Sequence, residues 1–391
     1  MTSANQRAWR RACRPCKPRL ERRPVNLIGV LGCVVAAAST ACMDVAEERA
    51  RRDSRIGRAE RAGNRVAVGE GLAAVRTLEP GRLELWANAP GLEVELATAT
   101  DAPEAWLVVV RNTLPDASLA ATALSGTLRS AQPIEERAGT ERRLALVLEP
   151  GSRVRLELAA PDALDAGPFE FLEFGDVQDA IDDVQDIFTR MNAVAGARFV
   201  MMAGDITERG GRDELAFFQS EMRTLRIPIF VTLGNHELGD GDVPYHDYFG
   251  RGSQSFSFRG ARFTTLDSAS ATVDPIALDW LDGWLAAGAG GAHLVFMHVP
   301  PIEPFGIRNG AFASRAEANQ LLARLGRGGV TATFYGHVHS YYAYENAGMP
   351  AFISGGGGAI PERFDGIGRH FLAVRVDPVA RTIATRVVRV D

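Results

Sequence analysis

Three short stretches at nearly even spacing constrain the fold of this chain more than anything else in it. "FGDVQ" carries Asp176 and Gln178, "MAGDITERG" carries Asp205 and Arg209, and "TLGNHE" carries Asn235 and His236. Each follows an apolar run of strand length. The steps from Asp176 to Asp205 and from Asp205 to Asn235 are 29 and 30 residues, each room for one strand–helix–strand unit. Residues 169–174, 198–203 and 228–233 read as strands, with helices predicted around 179–193 and 212–225. Farther on, strands at 262–266, 293–298 and 330–335 alternate with helices at 275–287 and 315–326, and strand-rich sequence closes the chain. Such alternation marks an α/β domain. Right-handed crossovers make the first three strands parallel and bring their carboxyl ends to one edge of the sheet, where ligands bind in such folds. Residues far apart in sequence are therefore expected to meet.

Upstream the rhythm changes. Between 65 and 160, runs such as "RLELWANA" (82–89), "LEVELAT" (92–98), "AWLVVVRNT" (105–113), "RRLALVLEP" (142–150) and "RVRLELAA" (153–160) alternate with period two. No helical pattern interrupts them. Short strands at roughly ten-residue spacing predict a small antiparallel all-β sandwich of immunoglobulin or fibronectin size, with no catalytic constellation of its own and the role of a spacer or docking module. Leu-Glu-Pro-Gly occurs at 78–81 and again at 148–151, which reads as a recurring turn rather than a duplication. "APDALDAGP" (160–168) links the two regions, and the charged segment 43–64 reads as a solvated tether, helical in part at most.

Charge is distributed unevenly. Residues 1–25 hold seven arginines and Lys17 against one glutamate, whereas the rest of the chain holds 35 basic and 47 acidic residues. That balance gives no reason to expect a nucleic-acid partner. Lys17 is the only lysine, so no P-loop, Schiff-base or kinase-type lysine exists beyond the N-terminal arm. All four cysteines lie within the first 42 residues, and the Cys13/Cys16 pair has no second pair or nearby histidines to make a zinc site. The basic arm, the apolar run from residue 25 and Ser-Thr-Ala-Cys ending at Cys42 resemble a bacterial lipoprotein signal over 1–42. Cys33 is the rival lipid site, and an uncleaved apolar anchor or a misplaced start codon are the alternatives. The expected protein is exported, attached to a membrane, and periplasmic or at the cell surface.

Nitrogen donors complete the pattern at 169–174 and beyond. His298 ends the strand "AHLVFMH", and "YGHVH" offers His337 and His339, two apart and so able to face one pocket. Singly, each residue has an ordinary structural explanation: Asp176 as a helix cap, Asn235 as a turn residue, His298 as a satisfied core histidine. Together they make a mixed nitrogen and oxygen ligand set with enough donors for two metal ions and no thiolate.

The ordered series GD-x-Q, GD-x-x-x-R-G, GNH-E, a strand-end histidine and GH-x-H resembles the calcineurin-like metallophosphoesterase family over roughly 168–391. "LDWLDGWL" (278–285), "HVPP" (298–301), "GHVHSYY" (336–342) and "ISGGGG" (353–358) are similar to that family too. The resemblance implies an α/β four-layer arrangement, two facing mixed β-sheets flanked by helices, preceded here by the all-β sandwich. It implies one metal ion on Asp176, Gln178, Asp205 and His339, and a second on Asp205, Asn235, His298 and His337, with Mn, Fe or Zn as candidates. The reaction implied is hydrolysis of a phosphate ester by a hydroxide that bridges the two ions. His236 would protonate the leaving oxygen or stabilise charge on it, and Arg209 would hold phosphate in a bidentate pair. Gln178 stands where the family usually has histidine, so looser binding at that ion and a tilt from Zn toward Mn or Fe are expected. Glu208 stands where purple acid phosphatases have tyrosine, so no tyrosinate–iron colour is expected. His293 and His370 read as structural, and His246 as a possible substrate contact in its loop. "HELGD" (236–240) opens like a zincin motif but lacks its second histidine. The competing function is a non-catalytic surface lipoprotein that keeps the domain as a metal- or ligand-binding scaffold.

Overall fold

The computed structural model describes residues 45–134, 139–239, 241, 243–307, 309–362 and 366–390. The predicted signal segment 1–42, with its lipid-attachment cysteines, lies outside the described residues. The described chain begins with a helix over 45–53, α1. Ten strands follow: β1 (Arg58–Arg61), β2 (Asn64–Val68), β3 (Ala73–Glu79), β4 (Arg82–Ala87), β5 (Leu92–Ala97), β6 (Ala105–Arg111), β7 (Ser118–Ser125), β8 (Leu128–Ile134), β9 (Glu141–Leu148) and β10 (Arg153–Ala159). They form two five-stranded sheets, in the orders β1-β2-β5-β10-β7 and β3-β4-β6-β9-β8. Period-two alternation sets which side is buried. In β10, Val154, Leu156 and Leu158 face the core while Arg153, Arg155 and Glu157 face water. The sandwich departs from the antiparallel expectation at one place, because β4 and β6 pair in parallel. The two Leu-Glu-Pro-Gly copies do different work. The first closes the β3–β4 hairpin, and the second carries the chain from β9 in one sheet to β10 in the other.

Segment 43–64 is not the solvated tether its composition predicts. The Arg49 guanidinium of α1 is buried against Asp267, at 2.6 and 3.1 Å, and donates to the Ser270 hydroxyl at 3.0 Å. The Asp53 carboxylate, also buried, accepts from the amides of Gly252 and Ser253 at 3.0 and 2.8 Å. Both charges have fixed partners, which is what permits their burial.

After the linker come β11 (Phe169–Phe174), a 3-10 turn at Gln178–Asp183, α2 (Val184–Asn192), β12 (Ala197–Met202), α3 (Arg212–Glu221), β13 (Ile229–Val231) and α4 (Tyr245–Phe249). The chain continues through β14 (Gln254–Phe258), β15 (Ala261–Leu266), α5 (Pro275–Ala287), β16 (Ala292–Met297), α6 (Arg315–Arg327) and β17 (Ala332–Tyr335). It closes with β18 (Tyr341–Asn346), β19 (Met349–Ser354), β20 (His370–Asp377) and β21 (Thr382–Arg389). Two mixed sheets result, β13-β12-β11-β20-β21 and β14-β15-β16-β17-β19-β18, and β11, β12 and β13 are parallel as expected. Phenylalanines hold the sheets face to face. Phe171 and Phe199 of the first sheet lie 5.3 and 5.2 Å from Phe263 of the second, edge to face. Helix starts are specified locally: Asp274 accepts from the amide of Ile276 with Pro275 in the first turn, and Ser314 accepts from Glu317. This packing turns the carboxyl ends of β11, β12, β16 and β17 toward one another.

Candidate active site

The chain turns sharply where each of these strands ends. Asp176, Gln178, Asp205 and His337 have φ of 65°, 51°, 52° and 69°. A non-glycine residue in this left-handed region costs roughly 1–3 kcal/mol, and several in one place mark a site held in shape by its surroundings. The neighbouring glycines admit close approach. A Cβ on Gly234 would stand 2.2 Å from the Asp205 amide nitrogen and Oδ1, and one on Gly336 would stand 2.5 Å from Asp176 Oδ2. Backbone bonds tie the turns together, with Val177 and Gln178 both donating to the Asp205 carbonyl.

These turns bring the predicted residues together. The ligand atoms of Asp205, His298 and His337 lie within 4.8 Å of one another. His298 Nδ1 donates to the Ala203 carbonyl at 2.7 Å, so Nε2 faces inward, 2.9 Å from Asn235 Oδ1 and 3.2 Å from Asp205 Oδ2. His337 Nε2 is taken by the Asn309 carbonyl at 2.8 Å, which leaves Nδ1 as its remaining donor. The backbone amide of His337 donates to both Asp176 oxygens at 2.9 and 3.0 Å. His339 Nδ1 is held by the Ile360 carbonyl at 2.9 Å, and its Nε2 stands 3.6 Å from Asp176 Oδ1. Gln178 Nε2 lies 3.1 Å from Asp205 Oδ2 and 3.1 Å from His339 Nε2. Rotating that amide by a half turn puts its oxygen in the same place, so Gln178 sits where an oxygen donor would complete the group.

Electrostatics make the cluster a candidate cation site. Asp176, Asp205 and Glu237 are all fully buried. Burial raises the Asp176 pKa to about 6 against the pull of the His298 and His339 rings. Asp205 goes the other way: burial acts to raise it, but the His298 charge and hydrogen bond hold it below the usual carboxylate range. Burial disfavours a charge on His298, yet Asp205 and then Asp176 hold its pKa up at about 9. Burial and the His298 charge push His337 down to about 4. The His298 proton thus sits between two oxygens, doing for the buried carboxylates what a metal ion would do. The donor set, imidazole with carboxylate and amide oxygen and no sulfur, fits a hard or borderline divalent metal.

Comparison with known proteins bears on this geometry. The calcineurin-like phosphoesterase family model matches residues 169–341, which include all seven proposed ligands. The segment is a calcineurin-like phosphoesterase domain. No curated protein matches the chain in sequence. Among solved structures, PhoD is 11% identical, with 74% of this chain and 82% of that one covered and a TM-score of 0.46. A dimetal phosphatase from Danio rerio is 16% identical, covering 56% of this chain and 98% of that one with a TM-score of 0.41. The domain is a metal-dependent phosphoesterase, since the family uses divalent metal ions and the His/Asp group to take them is present.

The phosphoesterase site also holds a residue the sequence reading passed over. Glu237, the fourth residue of "GNHE", accepts from the amides of Asp205, Thr207 and Gly234 at 3.0, 3.0 and 2.9 Å and from the Thr207 hydroxyl at 3.0 Å. It fixes the β12 and β13 turns to each other. Burial and the Asp205 charge raise its pKa to about 7. Four donors on one buried carboxylate were foreshadowed only by its place inside the motif. His236 lies at the edge of the cluster: Nδ1 donates to the Glu208 carbonyl at 2.8 Å and Nε2 stands 3.9 Å from Asp205 Oδ2. Burial works against its charge, but Asp205 and the Glu208 carbonyl leave its pKa raised. Arg209 is exposed one residue on from Glu208, with its amide on Glu214.

The other histidines fall elsewhere. His246 does not face the site: it is buried with Nε2 3.2 Å from Asp53 Oδ1, so it secures α1 rather than touching substrate. His293 is buried against the Thr264 hydroxyl at 2.8 Å, and His370 lies against the Gly368 carbonyl at 2.8 Å, both structural.

Proposed function

We propose that this protein hydrolyses phosphate mono- or diesters with two metal ions, one held by Asp176, Gln178, Asp205 and His339 and the other by Asp205, Asn235, His298 and His337. The observation that supports this best is the position of Asp205, buried between His298 on one side and Gln178 on the other. Bound ions would supply an activated water and neutralise charge on the phosphoryl oxygens. The chain's own residues do the rest. His236 donates from Nδ1 to a carbonyl, and its cationic form, which Asp205 favours, carries a second proton on Nε2 for the leaving oxygen. Arg209 is assigned the substrate phosphate, as a guanidinium suits bidentate pairing. Export and lipid attachment at Cys42 belong to the same reading and rest on the sequence of 1–42. Incorporation of labelled fatty acid, lost in Cys42→Ala, tests that part.

The experiment for the chemistry is to strip the purified protein, reload it with Mn, Fe or Zn, count ions per chain and assay a chromogenic monoester and diester. Two ions and turnover on either substrate are expected, with His236→Ala keeping its metal while turnover falls roughly 10²–10⁴-fold. A full metal complement without turnover on any ester would favour the scaffold reading, which Gln178 alone encourages.

A further inference from the structure

β13 is only three residues long and stands at the edge of its sheet, yet it carries the chain into Asn235 and His236. Its inner side pairs with β12. An edge strand exposes the N–H and C=O groups of alternate residues on its outer side, here Ile229 and Val231. Neither residue is left open. Asn112 Oδ1 accepts from the Ile229 amide at 3.0 Å while its Nδ2 donates to the Ile229 carbonyl at 2.7 Å. Asn88 accepts from the Val231 amide at 3.1 Å and donates to its carbonyl at 3.5 Å, where the Tyr245 hydroxyl is the closer donor at 2.9 Å. Each side-chain amide thus stands in for a peptide of a missing strand.

Both asparagines come from the sandwich. They follow β4 and β6, the one parallel pair in it, so two adjacent strand ends present two amides to two successive outward positions of β13. Both are buried, and Asn112 has φ of 62°, a left-handed backbone that only fixed surroundings maintain. Asn112 Nδ2 also reaches the Ala87 carbonyl at 2.8 Å, and the Asn88 carbonyl accepts from Gln254 at 2.8 Å. The contact is therefore braced from both domains.

We propose that Asn88 and Asn112 are positioning residues of the phosphoesterase site, and that the sandwich serves as the structural partner of the strand delivering Asn235 and His236. Neither asparagine touches the reacting groups. They act by removing the freedom of β13 to shift away from Asp205. The effect on metal rests on the two-ion reading above, whereas the effect on the strand does not.

The test measures amide hydrogen exchange in the full-length protein stripped of metal, beside its manganese content after reloading. In Asn88→Ala/Asn112→Ala, exchange over 229–238 should accelerate about tenfold or more, since buried backbone groups lose their partners, while 169–174 stays as in the wild type. Manganese should fall from two ions per chain to one, with the ion beside Asn235 lost. If the double variant does not fold, Asn112→Asp, which keeps the acceptor and loses the donor, should show a smaller acceleration in the same segment. Unchanged exchange at 229–238, or an equal rise in every strand, overturns the proposal. Local acceleration in a protein whose wild type takes up no manganese upholds the positioning role and removes the two-ion reading instead.

Discussion

The two halves of the candidate site are built to different standards. Around His298 the ring is fully buried, one nitrogen is committed to a backbone carbonyl, and the other already faces two oxygens. Around His339 the side chain keeps 20% of its exposure, and its nearest polar neighbour across the site is the amide of Gln178. On the wetter side His339 has the Gln178 amide beside it where a second imidazole could stand. A ligand's contribution depends on how far the surrounding protein has already fixed it and excluded water, so an amide is tolerated better where water can share the load. The bare protein shows the same asymmetry, because the proton that offsets the buried carboxylates sits on His298.

The sharpest break of this comparison is at the residue both halves use. Asp205→Asn keeps the shape but removes the charge that pairs with His298 and receives Gln178. Both ions should be lost and turnover should fall to background, as read by metal analysis and ester hydrolysis. If Asp205→Asn kept one ion and measurable turnover, the halves would be independent sites and the shared-carboxylate account would fail.

Next in size is Glu237→Gln, which leaves volume unchanged but turns one of the two acceptor oxygens into a donor facing backbone amides. Metal affinity is expected to drop roughly 10–100-fold, chiefly on the Asn235 side, because Glu237 holds the amides of Gly234 and Asp205. Chelator competition on each variant measures it. An equal loss on the Gln178 side would mean that Glu237 supports the whole site rather than one half.

Legibility in the sequence followed the same divide between local and non-local information. The strands β11, β12 and β13 were readable because their apolar runs stop within three residues of a glycine followed by a polar residue, whereas α4 and β14 carried no such mark. The candidate ligands at Asp176, Asp205 and Asn235 could be grouped because right-handed crossovers carry the ends of parallel strands to one sheet edge, whereas the histidines were added from the motif series. What escaped were contacts with distant partners that no motif marks. Segment 43–64 looks solvated from composition because nothing in it announces that Arg49 meets Asp267, 218 residues away. Asn88 and Asn112 look like ordinary residues after strands until β13 is set beside them. The left-handed backbone of Asp176, Asp205 and His337 had no signal either, since a preceding glycine suggests that the glycine itself makes the turn, and Gln178 follows a valine.

Acid–base behaviour sharpens the contrast between the halves without any substitution. His298 is raised from 6.5 to about 9 in the folded, metal-free protein, so the folded state holds a proton the unfolded chain releases. Its contribution to stability is complete below about pH 6.5 and is lost as pH rises toward 9. His236 is raised too and acts in the same sense, while His337, depressed to about 4, adds nothing further above 6.5. Denaturant unfolding of stripped protein should therefore show stability falling between pH 7 and 9 with a slope approaching about 1.4 kcal/mol per unit for each such proton. Metal loading should flatten that slope, because the ion takes the place of the His298 proton. A slope unaltered by metal would place the cation away from His298.

The smallest effect is expected where the halves differ most visibly. Gln178→His puts a stronger nitrogen donor beside Asp205 and His339 on the exposed side, at a position whose backbone already holds φ of 51°. The gain in retention should be confined to the ion on that side and reach no more than roughly tenfold, the low end of what changing one group at a metal site does. Preference should also move from Mn or Fe toward Zn, since imidazole is the softer donor. The dissociation rate of each ion into excess chelator, measured in wild type and variant, separates the two sides. An unchanged rate for the His339-side ion would mean that Gln178 does not touch the metal and that the looseness of that half comes from its exposure alone.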